Sequence, residues 1–254
     1  MRLFAILAVG VLAAAPSLAL AAPIQFTAPM VNINPESQTG VPNPASGTVD
    51  LTLDLDNRTL TTHFQLSGLE IGQDHPRHIH GNVDANLQPL ESTIPTLAQD
   101  VDNDNFIEFL EGAQTYGPVI LDLGAFRAEA DGTYDAVEVF DLHDSSLYGT
   151  VDPLDPTSQQ FDITALLGDS LDPSALELRH LVVHGLTLPE GAGVPNPDFP
   201  INEADGTAGY KAVLPVLNGD IVQVTEVPEP GTMAMLGAGL FGLGFIARRR
   251  GKTA

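Results

Sequence analysis

Between Gly47 and Gly68 the residues alternate strictly: Val49, Leu51, Leu53 and Leu55 point one way, Asp50, Thr52, Asp54 and Asp56 the other. Period-two alternation places one face of a strand in a core and the other in water. Asp56-Asn57-Arg58 then turns the chain back into Thr59 to Leu66, which predicts a β-hairpin with one buried face. Further β-prone runs at Pro118 to Leu123, Ala136 to Leu142, Gln160 to Ile163, Leu178 to His184, Ala212 to Leu217 and Ile221 to Thr225 are separated by loops rich in the chain's 24 glycines and 20 prolines. Short strands between such loops predict an all-β protein, an antiparallel Greek-key sandwich or barrel. Helix is confined to short turns at Ile94 to Gln99, Phe106 to Glu111 and Ser174 to Leu178. Residues 22–46, with Asn34-Pro35 and Pro42-Asn43-Pro44, read as an irregular amino-terminal arm ahead of a β-sandwich domain spanning 47–226.

The two ends carry sorting chemistry. Met1-Arg2, an apolar run from Leu3 to Ala15 and the small-residue pattern Ala19-Leu20-Ala21 predict a signal peptide over 1–21, cut before Ala22 by signal peptidase. At the other end Val227-Pro228-Glu229-Pro230 precedes an apolar stretch from Met233 to Ala247 and the cluster Arg248-Arg249-Arg250. That stretch has 15 residues, fewer than the roughly 20 of a spanning helix, but its basic flank obeys the positive-inside rule. Residues 233–247 are thus expected to engage the membrane before processing.

All 33 acidic residues lie between Ala22 and Pro230, with five of the ten basic ones, so that the body carries a charge of −28. Such a surface repels nucleic acid, which is excluded as a partner, and suits cation binding. Without cysteine, neither disulfides nor thiolate metal sites exist, and a transition metal must be held by imidazole and carboxylate.

Three of the seven histidines, His75, His78 and His80, fall within six residues. On a strand, residues i and i+2 share a face with Cα atoms roughly 6.6 Å apart, so His78 and His80 can hold one metal ion. His184 ends the apolar run Leu181-Val182-Val183, and a second strand can bring it to the same ion. His180 lies four residues before His184, roughly 13 Å away on a regular strand. It and His143, between Asp141 and Asp144 at one remove, are alternatives for a fourth ligand, whereas His63 reads as structural.

Asp100-Val101-Asp102-Asn103-Asp104-Asn105-Phe106-Ile107-Glu108-Phe109-Leu110-Glu111 places carboxylates at positions one, three, five, nine and twelve of a twelve-residue loop, with an apolar residue at eight. This is the ligand order of an EF-hand-like calcium loop: Asp100, Asp102, Asp104, the Phe106 carbonyl, Glu108 and Glu111. Asn105 stands where glycine is customary, and asparagine tolerates the left-handed conformation better than most residues. Without two full flanking helices the loop is expected to be a structural calcium clip, not a switch.

The carboxyl-terminal arrangement, residues 227–254, resembles the PEP-CTERM sorting signal of Gram-negative bacteria. That resemblance implies processing by an exosortase, display at the cell envelope, surface or extracellular matrix, and an exopolysaccharide matrix as partner. Ser67-Gly68-Leu69-Glu70-Ile71-Gly72 followed by His75, His78, Ile79 and His80 resembles the copper/zinc superoxide dismutase family, as do Leu181-Val182-Val183-His184 and Gly206-Thr207-Ala208-Gly209-Tyr210-Lys211. The resemblance implies a dismutase-like barrel in which His78, His80 and His184 bind copper, His75 braces the loop, and Lys211 stands where an arginine guides the anion. Copper would then cycle to disproportionate superoxide. The family's zinc-loop histidines and disulfide cysteines are absent, which leaves a copper-only form, and the negative body opposes an anionic substrate unless Lys211, Arg77 or Arg179 makes a local positive funnel. The same first motif resembles the CHRD domain, a β-rich extracellular module. That alternative implies a noncatalytic matrix or adhesion component with a structural calcium site.

Overall fold

The computed structural model describes residues 22–152, 154–155, 157–194 and 203–224. The expected signal peptide and the carboxyl-terminal sorting segment lie outside these residues. In chain order the elements are β1 (Ile24–Asn32), α1 (Glu36–Thr39), β2 (Ser46–Asp54), β3 (Thr59–Ser67), β4 (Asp74–His80), β5 (Asn82–Val83), β6 (Pro89–Leu90), α2 (Phe109–Tyr116), β7 (Val119–Arg127), β8 (Tyr134–Asp141), α3 (Ile163–Leu167), β9 (His180–Leu188), β10 (Gly209–Asp220) and β11 (Val222–Gln223). No helix among the described residues is long and apolar enough to cross a membrane.

The predicted hairpin is β2–β3, with Val49, Leu51 and Leu53 buried and Asp54 and Thr59 paired at the turn. The main sheet runs β7-β4-β9-β10-β1-β2-β3-β8, with β11 beside β1, and every pairing between its named strands is antiparallel. β1 pairs with β2 through Met30 but reaches β10 only through Val31 and Asn32, so it carries the sheet around from one half to the other. The result is a nearly closed antiparallel barrel whose core lies between the two halves. Phe64 on β3 meets Phe126 on β7 at 6.3 Å between ring centroids, and the Arg77 guanidinium of β4 lies 4.3 Å from the Phe64 ring. Arg77 also bonds the Leu123 carbonyl, the Tyr134 hydroxyl and the Glu138 carboxylate, which offsets the cost of burying a cation.

Four expectations change here. Residues 24–32 are a full strand, not an irregular arm, because Phe26, Ala28 and Met30 alternate into the core; the prolines that follow end the strand without preventing it. Gln160 makes only an isolated bridge, after which the chain enters α3, and Asp162 caps that helix by accepting from the Thr164 N–H. Residues 94–99 are not helical. The helix expected over 106–111 instead begins at Phe109, where Glu108 and Glu111 form a reciprocal capping box.

Gly185 shows how tightly the neighbourhood of His184 is packed. Its φ is +109°, and an added Cβ would lie 1.9 Å from the Tyr210 hydroxyl and 3.0 Å from His75 Nδ1. Gly185→Ala is therefore expected to destabilise the protein by about 1–3 kcal/mol through backbone strain alone, before the clash is added. Urea unfolding of the variant beside the wild type measures this.

Candidate metal centres

β4 supplies two of the three clustered histidines. Its odd-numbered side chains His75, Arg77 and Ile79 turn to the core, while His78 and His80 share the other face. β9 lies antiparallel beside β4, with His78 opposite Val182 and His80 opposite His180, and His184 projects toward the same face. Ring centroids are 5.2 Å apart for His78–His184, 5.7 Å for His78–His80 and 6.0 Å for His80–His184. One nitrogen from each ring lies within 4.8 Å of the others.

The hydrogen bonds define which nitrogens those are. His80 Nδ1 lies 2.9 Å from the Gly117 carbonyl and His184 Nδ1 lies 2.7 Å from the Val213 carbonyl. A carbonyl only accepts, so each Nδ1 carries the proton and each Nε2 presents a lone pair. Both Nε2 atoms are buried without a hydrogen-bond partner, as is His78 Nδ1. The remaining nitrogen of His78, Nε2, is 3.6 Å from the Asp122 carboxylate. Three orphaned imidazole nitrogens converge while their opposite nitrogens are held or faced by oxygen, the arrangement by which a protein orients imidazole ligands to a metal.

Electrostatics keeps these rings neutral. Burial pushes His78 down to about 4. Burial, then the neighbouring His78, takes His184 to about 3, and burial followed by the adjoining imidazoles holds His80 well below its ordinary value. Neutral imidazole is the ligating form, so the cluster stays competent for metal well into the acid range. α2 walls the pocket: Tyr116 packs on His80 at 4.6 Å and Phe109 lies 6.2 Å from His184.

The other sequence candidates fall elsewhere. His75 bridges the Glu70 and His184 carbonyls at 3.0 Å each, the bracing place that the dismutase resemblance implied for it. His180 is held by Asn218 and Asp220, and His143 is exposed beside Asp141, so neither joins the cluster as a fourth ligand. His63 pairs with Asp135. Lys211 does not present a free ammonium: its Nζ is 2.8 Å from Asp205 and 2.9 Å from the Thr207 hydroxyl. Arg77 is committed to Glu138, and Arg179 is buried against the Asn82 and Ala165 carbonyls. The expected positive funnel is thus absent from these three side chains, because each is consumed by a local acceptor.

The acidic loop folds around its own carboxylates. Asp100 accepts from the backbone N–H groups of Asn103, Asp104 and Asn105, and Asn105 adopts the left-handed φ of +73° that position six requires. Asp104 Oδ1 accepts from the Phe106 N–H, while Glu111 accepts from Val101 and Glu108. Two sets of side chains converge within 4.8 Å, Asp100–Asp102–Glu111 and Asp102–Asp104–Glu108. Phe106 is buried.

Sequence reasoning passed over two residues here. Asn34 accepts from the Ile107 N–H and donates to the Ile107 and Pro215 carbonyls, tying position eight of the loop to the barrel as a neighbouring strand would. Its only signal was an Asn-Pro pair, which reads as a turn. Glu203 accepts from the Phe109 N–H, while Glu108 accepts from the Ala204 N–H. Nothing in the sequence links positions almost a hundred residues apart.

Burial is the main cause that raises Asp104 and Glu111 to about 7 and Glu203 to about 8, with neighbouring carboxylates adding to it. A carboxyl whose pKa is raised by folding lowers stability as pH rises from its unfolded value through its folded one. The histidines act oppositely: with folded pKa values depressed, they withdraw stability as pH falls from their unfolded value near 6.5 toward about 4. A cation on the carboxylates removes only the first penalty. Calcium is therefore expected to raise Tm more at pH 8 than at pH 5, as thermal melts with calcium and with chelator at both pH values will show.

Comparison with known families agrees with this architecture. Residues 26–155, just over half of the chain, match the CHRD domain, and residues 226–250 match the PEP-CTERM protein-sorting motif. The chain belongs to the CHRD domain family. It is exported, a cell-envelope or extracellular protein of a Gram-negative bacterium, and its sorting motif implies processing by an exosortase. No curated protein matches it. The CHRD match includes His78, His80 and the acidic loop but stops before His184, Glu203 and Lys211.

Proposed function

We propose that this protein is a noncatalytic CHRD module of the cell surface or its exopolysaccharide matrix, with a transition-metal ion held by His78, His80 and His184 and calcium held by the acidic loop. The observation that carries the reading is that one nitrogen from each of His78, His80 and His184 lies within 4.8 Å of the others, while His78 Nδ1, His80 Nε2 and His184 Nε2 are buried without hydrogen-bond partners. Neutral imidazoles favour copper or zinc, and the absence of cysteine leaves no softer ligand to compete. The bound ion supplies a crosslink between β4 and β9. Around it, Gly117 and Val213 fix two rings, and Phe109 and Tyr116 exclude water from one side. Calcium in the loop neutralises carboxylates that otherwise repel at the start of α2.

A second reading, superoxide disproportionation by bound copper, rests on the same three imidazoles and on His78, which keeps some solvent exposure. The formal charge of −23 and the pairing of Lys211 with Asp205 weigh against it, since nothing named here draws an anion inward. Purified full-length protein, stripped of metal and reloaded separately with copper, zinc and calcium, decides between the two. One equivalent of copper or zinc without superoxide consumption is the expected result. Copper-dependent turnover lost in His80→Ala and His184→Ala would favour the enzyme, and failure to retain either ion would remove the metal reading altogether.

A further inference from the structure

The acidic loop offers two cation-sized clusters of carboxylates. Oxygens bound to a single calcium ion at about 2.3–2.6 Å all lie within roughly 5 Å of one another. The loop carboxylates form two such sets of three, each within 4.8 Å, that share Asp102. Glu203 stands beside the second set: it accepts from the Phe109 N–H while Glu108 accepts from the Ala204 N–H.

Two side chains give independent support. Asp104 is only 8% exposed, and its Oδ2 is buried with no hydrogen-bond partner although Oδ1 is held by the Phe106 N–H. One Asp104 carboxylate oxygen lies within 4.8 Å of oxygens from Asp102 and Glu108. Glu203 is 5% exposed with Oε1 likewise buried and unpartnered, and its other oxygen accepts from the Phe109 N–H next to Glu108. A buried acceptor that faces like charge and finds no donor is expensive, and a cation is the partner that offsets it.

We propose that the loop holds two divalent cations of the calcium class, an outer ion between Asp100, Asp102 and Glu111 and an inner ion between Asp102, Asp104 and Glu108. The Asp102 carboxylate bridges them, and Glu203 flanks the inner ion. The interlocked backbone bonds, Glu108 to Ala204 and Glu203 to Phe109, then make the inner ion the point at which the loop, α2 and the segment from 203 are drawn together. This deepens the calcium reading above and rests on it.

The test is a calcium titration of chelator-stripped full-length protein in physiological salt, followed by calorimetry and native mass spectrometry. Wild type is expected to take up two calcium ions. Asp104→Asn keeps the acceptor for the Phe106 N–H and is expected to retain one; Asp102→Asn is expected to retain none, with circular dichroism confirming that each variant is folded. One ion in wild type, or two in Asp104→Asn, overturns the two-ion cluster while leaving a calcium loop intact. No bound calcium in wild type overturns the calcium reading and this inference together. Should Asp102→Asn fail to fold, the wild-type stoichiometry and the Asp104→Asn result still decide the matter.

Discussion

Replacing His80 or His184 with alanine is expected to abolish stoichiometric copper or zinc binding, with a loss of affinity above about 100-fold. Removing a group that merely orients a metal ligand costs about 10–100-fold, so removing a ligand exceeds that range. Each change deletes one of three converging nitrogens, and the two that remain cannot enclose an ion. The metal-free variants should remain folded at some loss of stability, because each change removes an unpartnered buried nitrogen but also leaves the Gly117 or Val213 carbonyl without its donor. His143→Ala and His180→Ala serve as controls: His143 is exposed, His180 is held by Asn218 and Asp220, and both variants should keep full metal content. Calorimetric titration of copper and zinc into the four variants reads out the difference.

Chelating calcium is expected to produce the second large effect, a fall in Tm of roughly 5–10 °C. Ligand at a hundredfold excess over its dissociation constant contributes about 2.7 kcal/mol, and about 1 kcal/mol shifts Tm by about 2–4 °C in a domain of this size. The effect should be felt beyond the loop. Glu108 and Glu111 form the capping box of α2, and the same helix sets Phe109 and Tyr116 against His184 and His80. Loss of calcium leaves those carboxylates in mutual repulsion and loosens the wall of the histidine pocket. Scanning calorimetry with and without chelator measures the first consequence. A zinc titration of calcium-free protein measures the second, as weaker binding than in the calcium-loaded form.

The hairpin was legible because alternation over 47–68 encodes one buried face, and His78 and His80 were legible because two-residue spacing on a strand leaves little freedom. His184 could be joined to them only because an apolar β-prone run ends on it. β1 was hidden by its neighbourhood: Asn34-Pro35 and Pro42-Asn43-Pro44 follow closely, and their turn chemistry masked the alternation of Phe26, Ala28 and Met30. Lys211 illustrates a different limit. Its position suggested an anion guide, but an ammonium acts at a distance only if nothing nearer takes it, and Asp205 lies six residues away in sequence and 2.8 Å away in space. Asn34 carried only the turn signal of its Asn-Pro pair and Glu203 carried none, since what they do depends on long-range closure of the barrel.

The choice between families was equally a matter of range. Gly68-Leu69 and His78-Ile79-His80 carry both the dismutase and the CHRD resemblance, so a local motif could not separate them. The match over residues 26–155 spans just over half of the chain, and it places the chain with the CHRD domains. Metal binding is compatible with that placement, because function resides in the site and not in the fold that carries it.

The most direct test of the three-histidine centre is X-ray absorption at the zinc edge on protein loaded with one equivalent of zinc. The predicted spectrum contains three imidazole nitrogens at roughly 2.0–2.1 Å, reduced to two in His184→Ala if residual zinc is retained. A wild-type spectrum dominated by carboxylate or water oxygen, with fewer than three imidazoles, would contradict the centre built by His78, His80 and His184.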